Sequence, residues 1–80
     1  MLEAARTELA AGHYAEALRR TAEHAKRFPS GMLSEERRAL RAIAKCRLGE
    51  HDAGSVAREF LRLHPESTSA ARVREACGSL

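Results

Sequence analysis

The chain has 80 residues, 44% of them apolar but only 4% aromatic, with 31% charged and a formal charge of +3. That length suits one domain, which buries only about 60 to 65% of the surface its unfolded chain exposes, so the core is thin. No uncharged apolar run approaches the ~20 residues of a bilayer-spanning helix, no signal peptide is readable at Met1, and the mixing of 11 acidic residues among 14 basic ones favours a solvated mixed surface over a nucleic-acid patch.

In chain order, Leu2, Ala5 and Leu9 recur at helical spacing, and Gly12 ends that segment because Gly readily takes the left-handed conformation that closes a helix. The second segment sets Tyr14, Ala17, Leu18, Thr21, Ala22, Ala25 and Phe28 on one stripe and stops at Pro29. A third carries Leu33, Leu40, Ile43, Ala44 and Leu48 on one face, with Ala39, Ala42 and Cys46 beside it, and ends at Gly49. Asp52 is the expected N-cap of a fourth, whose stripe of Val56, Ala57, Phe60, Leu61 and Leu63 runs to Pro65. Ser67 or Ser69 can cap a fifth, on which Ala70, Val73 and Cys77 share a face and Gly78 is the terminator. The expected core is Leu9, Leu18, Phe28, Leu40, Ile43, Ala44, Phe60, Leu61 and Val73.

The pattern is stated twice. Gly12 and Gly49 lie 37 residues apart and Pro29 and Pro65 lie 36 apart, a period in the range of stacked helical arrays. On that register His51 stands where Tyr14 stood, and Gly54 where Ala17 stood. The chain is therefore expected to be all-α, a single domain over 1–80. It would comprise two antiparallel helical hairpins, about 2–29 and 32–65, and a capping helix over about 67–77.

Gly12, Tyr14, Ala17 and Pro29 together resemble the second half of a tetratricopeptide repeat. The phrases "FPSGMLSEERRAL", "CRLG" and "FLRLHPES" are similar to the divergent repeats of bacterial envelope proteins, such as outer-membrane assembly lipoproteins and periplasmic coordinators of the Tol system. The resemblance implies a right-handed superhelical stack acting as a non-enzymatic protein-protein interaction or scaffolding module. Its partner would be a protein segment or another copy of the chain. It implies a place in the periplasm or cell envelope, with the cytoplasm as the alternative, and it implies no catalytic residue, cofactor or metal. The rival class is a basic helical nucleic-acid-binding regulatory fragment, which predicts affinity falling steeply with salt.

In such a stack the third and fifth helices are the first helices of successive repeats and lie side by side. Cys46 and Cys77 then reach similar heights on apolar faces, either joined as a disulfide, which favours an oxidising compartment, or as two reduced small core residues. The four His residues form no close metal-ligand pair, and neither Cys shows the convergent base that nucleophilic catalysis needs. Glu-Arg pairs at helical spacing, such as Glu16 with Arg19 and Arg20 or Glu59 with Arg62, read as solvated faces contributing about 0.2 to 0.5 kcal/mol each. The denser run Glu35, Glu36, Arg37 and Arg38, with Arg41, is the candidate partner-contact surface.

Overall fold

A computed structural model of the chain describes residues 2–29, 31 and 33–78, so the expected start of the second repeat at Met32 lies outside the described residues. Five helices follow in order: α1 (Leu2–Ala10), α2 (Tyr14–Arg27), α3 (Ser34–Leu48), α4 (Ala53–Leu63) and α5 (Ala70–Cys77). No strand occurs among the described residues. Helix α3 is the hub: it packs against each of the other four, while α1 also packs on α2 and α4 on α5.

The two glycine turns are built alike. Gly12 (φ 82°) and Gly49 (φ 70°) are both left-handed. Each donates its N–H to the carbonyl three residues back, and the next residue donates to the carbonyl five back: Gly12 to Leu9 and His13 to Glu8, Gly49 to Cys46 and Glu50 to Lys45. These bonds satisfy carbonyls that the end of a helix would otherwise leave orphaned. A Cβ added at Gly49 would meet no atom within 4 Å, so the cost of Gly49→Ala is conformational, about 1 to 2 kcal/mol. A Cβ at Gly31 would make only an ordinary 3.5 Å contact with the Phe28 Cβ. Thermal unfolding is expected to separate Gly49→Ala from a near-neutral Gly31→Ala, and equal melting temperatures would contradict this account of the turn.

Burial follows two spacings. Helices α1, α3 and α5 turn the sets Leu2, Ala5, Leu9; Ala39, Ala42, Cys46; and Ala70, Val73, Cys77 into the core, each at i, i+3, i+7, with the two Cys partly buried. Helices α2 and α4 bury Ala17, Thr21, His24 and Ala53, Ala57, Phe60, each at i, i+4, i+7. The offset between α2 and α4 is 36 at every one of these positions. Ala53, rather than Gly54, therefore takes the place of Ala17, and the one-residue slip falls in the turn.

That register corrects the expected core. Leu9, Leu40, Ile43, Ala44, Phe60 and Val73 are buried, and Leu18 and Leu61 are half-buried, but Phe28 is 45% exposed. Phe28 lies beyond the last turn of α2 with φ −134°, as His64 lies beyond α4 with φ −133°. Each donates its N–H back to the carbonyl four residues earlier, His24 or Phe60, at 2.8 Å. Phe28 thus stands where His64 stands, and the slot that Phe60 fills in the second copy is filled by His24 in the first. Leu33, Leu48 and Leu63, at helix ends, are also exposed. Asp52 occupies the N-cap position of α4 without capping it; its carboxylate accepts instead from Lys45 Nζ, 2.8 Å from each oxygen.

Candidate functional site

The charged run on α3 does not form one surface, because consecutive helical residues point about 100° apart. Glu36 turns toward α1 and pairs with Arg6. Glu35 lies 3.3 Å from His64 Nδ1 at the end of α4. Arg38 and Arg41 are exposed, beside Val56, Phe60 and Leu63, on a recess of about 230 Å³. Arg37 points inward and is only 7% exposed. Its Nη1 donates to the Phe28 carbonyl at 2.8 Å and lies 3.4 Å from His24 Nδ1. Of the five residues expected to contact a partner, Arg37 is therefore corrected to a buried cation that holds the free carbonyl at the end of α2, while Glu35, Glu36, Arg38 and Arg41 lie partly or fully at the surface.

Burial, and then the neighbouring Arg37 charge, push the His24 pKa below its usual value. A neutral imidazole with its Nδ1 lone pair toward the guanidinium fits this arrangement. Above about pH 6.5 His24 is neutral in both folded and unfolded chains and adds no pH dependence. As pH falls through that value the unfolded chain takes up the proton first, so stability declines. Urea unfolding between pH 7.5 and 5 should show this slope, and His24→Leu should flatten it. An unchanged slope in His24→Leu would assign the effect to another group.

A second hollow, of about 270 Å³, lies where α1, α3 and α5 meet. Leu9, Ile43 and Ala76 give it an apolar lining, and Arg47, Arg72 and Glu75 also face it. Arg6 and Tyr14 complete the α1–α2 side. Arg6 is already compensated by Glu36, whereas Arg47 and Arg72 have no ion-pair partner among the described residues. A hollow of mixed lining, in which Arg47 and Arg72 stand beside Leu9, Ile43 and Ala76 with Glu75 at the same wall, can take a carboxylate on a guanidinium group with an apolar side chain next to it. A larger recess of about 410 Å³ is lined by Arg20, Glu23, Lys26 and Arg27, all on α2, so that its apolar surface comes only from the stems of charged side chains.

None of the residues around the α1/α3/α5 hollow was singled out by charge density in the sequence, since Arg47 and Arg72 are isolated cations on different helices. The signal present was positional. Ile43 and Arg47 follow the first member of the buried α3 set by four and eight residues, as Arg6 and Ala10 follow that of α1, so one edge of both helices faces the hollow.

Cys46 and Cys77 stand at the third position of the α3 and α5 sets, with their Cα atoms 5.1 Å apart and their sulfurs at bonding distance, 2.06 Å. Of the two states the sequence left open, the structure has the joined one. Among the described residues no group of three or more His, Cys, Asp or Glu converges as a metal site would, and no helix is long and apolar enough to cross a membrane. Comparison with protein-family models, with curated proteins and with solved structures finds no match to this chain.

Proposed function

We propose that the chain is a non-enzymatic protein-interaction module of tetratricopeptide-like build. In this reading α1–α2 and α3–α4 are two hairpins, α5 is the cap, and the three odd-numbered helices line the receiving side of a short right-handed stack. The observation that carries the proposal is the α1/α3/α5 hollow, in which Leu9, Ile43 and Ala76 lie beside Arg47 and Arg72, two cations with no ion-pair partner among the described residues. Its occupant would be an extended protein segment bearing a carboxylate beside an apolar side chain. Such a module fits within a larger envelope or regulatory protein, and the Cys46–Cys77 pair supports an oxidising compartment such as the periplasm.

The test is fluorescence anisotropy with short labelled peptides, one alternating Glu and Leu, the other alternating Lys and Leu. The acidic peptide should bind and the basic one should not, and the double variant Arg47→Glu with Arg72→Glu should lose at least tenfold in affinity for the acidic peptide while retaining its helical circular dichroism. No binding, equal binding of both peptides, or an unaffected double variant would overturn the assignment. A parallel salt titration with duplex DNA addresses the nucleic-acid reading. That reading is disfavoured by the pairing of Arg6, Arg19, Arg20 and Arg62 with glutamates, which reduces the positive charge available to release counterions.

A further inference from the structure

Helix α5 supplies Arg72, Glu75 and Ala76 to the hollow and packs on α3 and α4, but it is short. It has eight residues, of which only Ala70 and Val73 are fully buried, and a helix that short does not persist by itself in water. Its opposite, buried edge carries Cys77, joined to Cys46 near the end of α3. The chain enters α5 from the turn that follows α4, and the Cys46–Cys77 link is the covalent tie between its C-terminal end and α3. Both Cys residues are partly exposed rather than sealed in the core.

We propose that the Cys46–Cys77 disulfide is a redox fastener for this wall of the hollow, so that reduction frees α5 and weakens binding at the site. This rests on the hollow being the binding site, and it adds the regulation of that site. The reductant is a dithiol. Its thiolate attacks one sulfur of the pair and breaks the Cys–Cys bond to form a mixed disulfide, and the released Cys thiolate takes up a proton. The second thiol of the reductant then displaces the other Cys, so that two electrons and two protons pass to the protein and the reductant leaves as a cyclic disulfide. Reoxidation by a disulfide oxidant of the same class restores α5 to its place.

The experiment is amide hydrogen exchange on the oxidised protein, on the protein reduced with dithiothreitol, and on the double variant Cys46→Ser with Cys77→Ser, with anisotropy of the alternating Glu-Leu peptide on the same samples. The reduced protein and the double variant should exchange α5 amides faster by a factor at least tenfold greater than any general acceleration in α1, α2 and α3, and the peptide should bind at least tenfold more weakly. Unchanged protection of α5 would overturn the proposal, as would an equal loss of protection throughout all five helices, which would make the bond a global staple only. Should the oxidised protein fail to bind the peptide, the binding-site reading falls and the claim of redox-controlled binding falls with it, while the exchange data still report whether α5 is released.

Discussion

Phe60→Ala is expected to lower the unfolding free energy by about 3 to 5 kcal/mol, the range for truncating an enclosed aromatic side chain. Phe60 is 2% exposed and belongs to the core cluster to which all five helices contribute. The loss combines the transfer energy of the ring with a cavity that Ala-rich neighbours cannot fill. A chain of this length has a total stability of only about 4 to 12 kcal/mol, so the variant should sit near its unfolding limit. Phe28→Ala is the control, since its ring is nearly half exposed and leans on His24 at a centroid distance of 5.2 Å. That variant should lose no more than about 1 kcal/mol. Urea denaturation of both variants decides the matter, and comparable midpoints would show that the two phenylalanines are equivalent core members, contrary to the register described above.

The helices were legible because the buried positions recur at i, i+3, i+7 or i, i+4, i+7, and because glycine, proline and serine punctuate the segments where the chain turns. Phe28 was misplaced because a helical stripe was carried one residue past the end of α2. Alignment on Pro29 and Pro65 already pairs Phe28 with His64, and His24 with Phe60, so the correction was available from the repeat itself. Arg37 was not legible in this way. A charged residue is expected at the surface, and its burial depends on the Phe28 carbonyl being free at a helix end and on α2 packing beside α3. Arg47 and Arg72 were visible as charges but not as neighbours, because only the lateral packing of α3 and α5 brings their helices to one hollow. The cysteine pair lies between these cases: its spacing carried no signature, and it is the packing of α3 against α5 that brings the two sulfurs together.

Removing that bond should have the second large effect. The link joins residues 31 apart in sequence, and closing a loop of that size restricts the unfolded chain by an amount corresponding to about 3.5 to 4 kcal/mol at 25 °C. Cys46→Ala with Cys77→Ala should therefore lower the urea midpoint substantially while leaving the contacts of α1 and α2 intact. The slope of free energy against urea carries separate information, because it scales with the surface exposed on unfolding. If α5 stays docked in the double variant, the folded state keeps its buried surface and the native-state contribution to the slope is unchanged. If α5 is released, the burial of Ala70 and Val73 is already lost before unfolding, which lowers the slope below that of a docked variant and opposes the rise that opening the cross-linked unfolded chain produces in either case. A midpoint equal to that of the oxidised protein would contradict this account of loop closure.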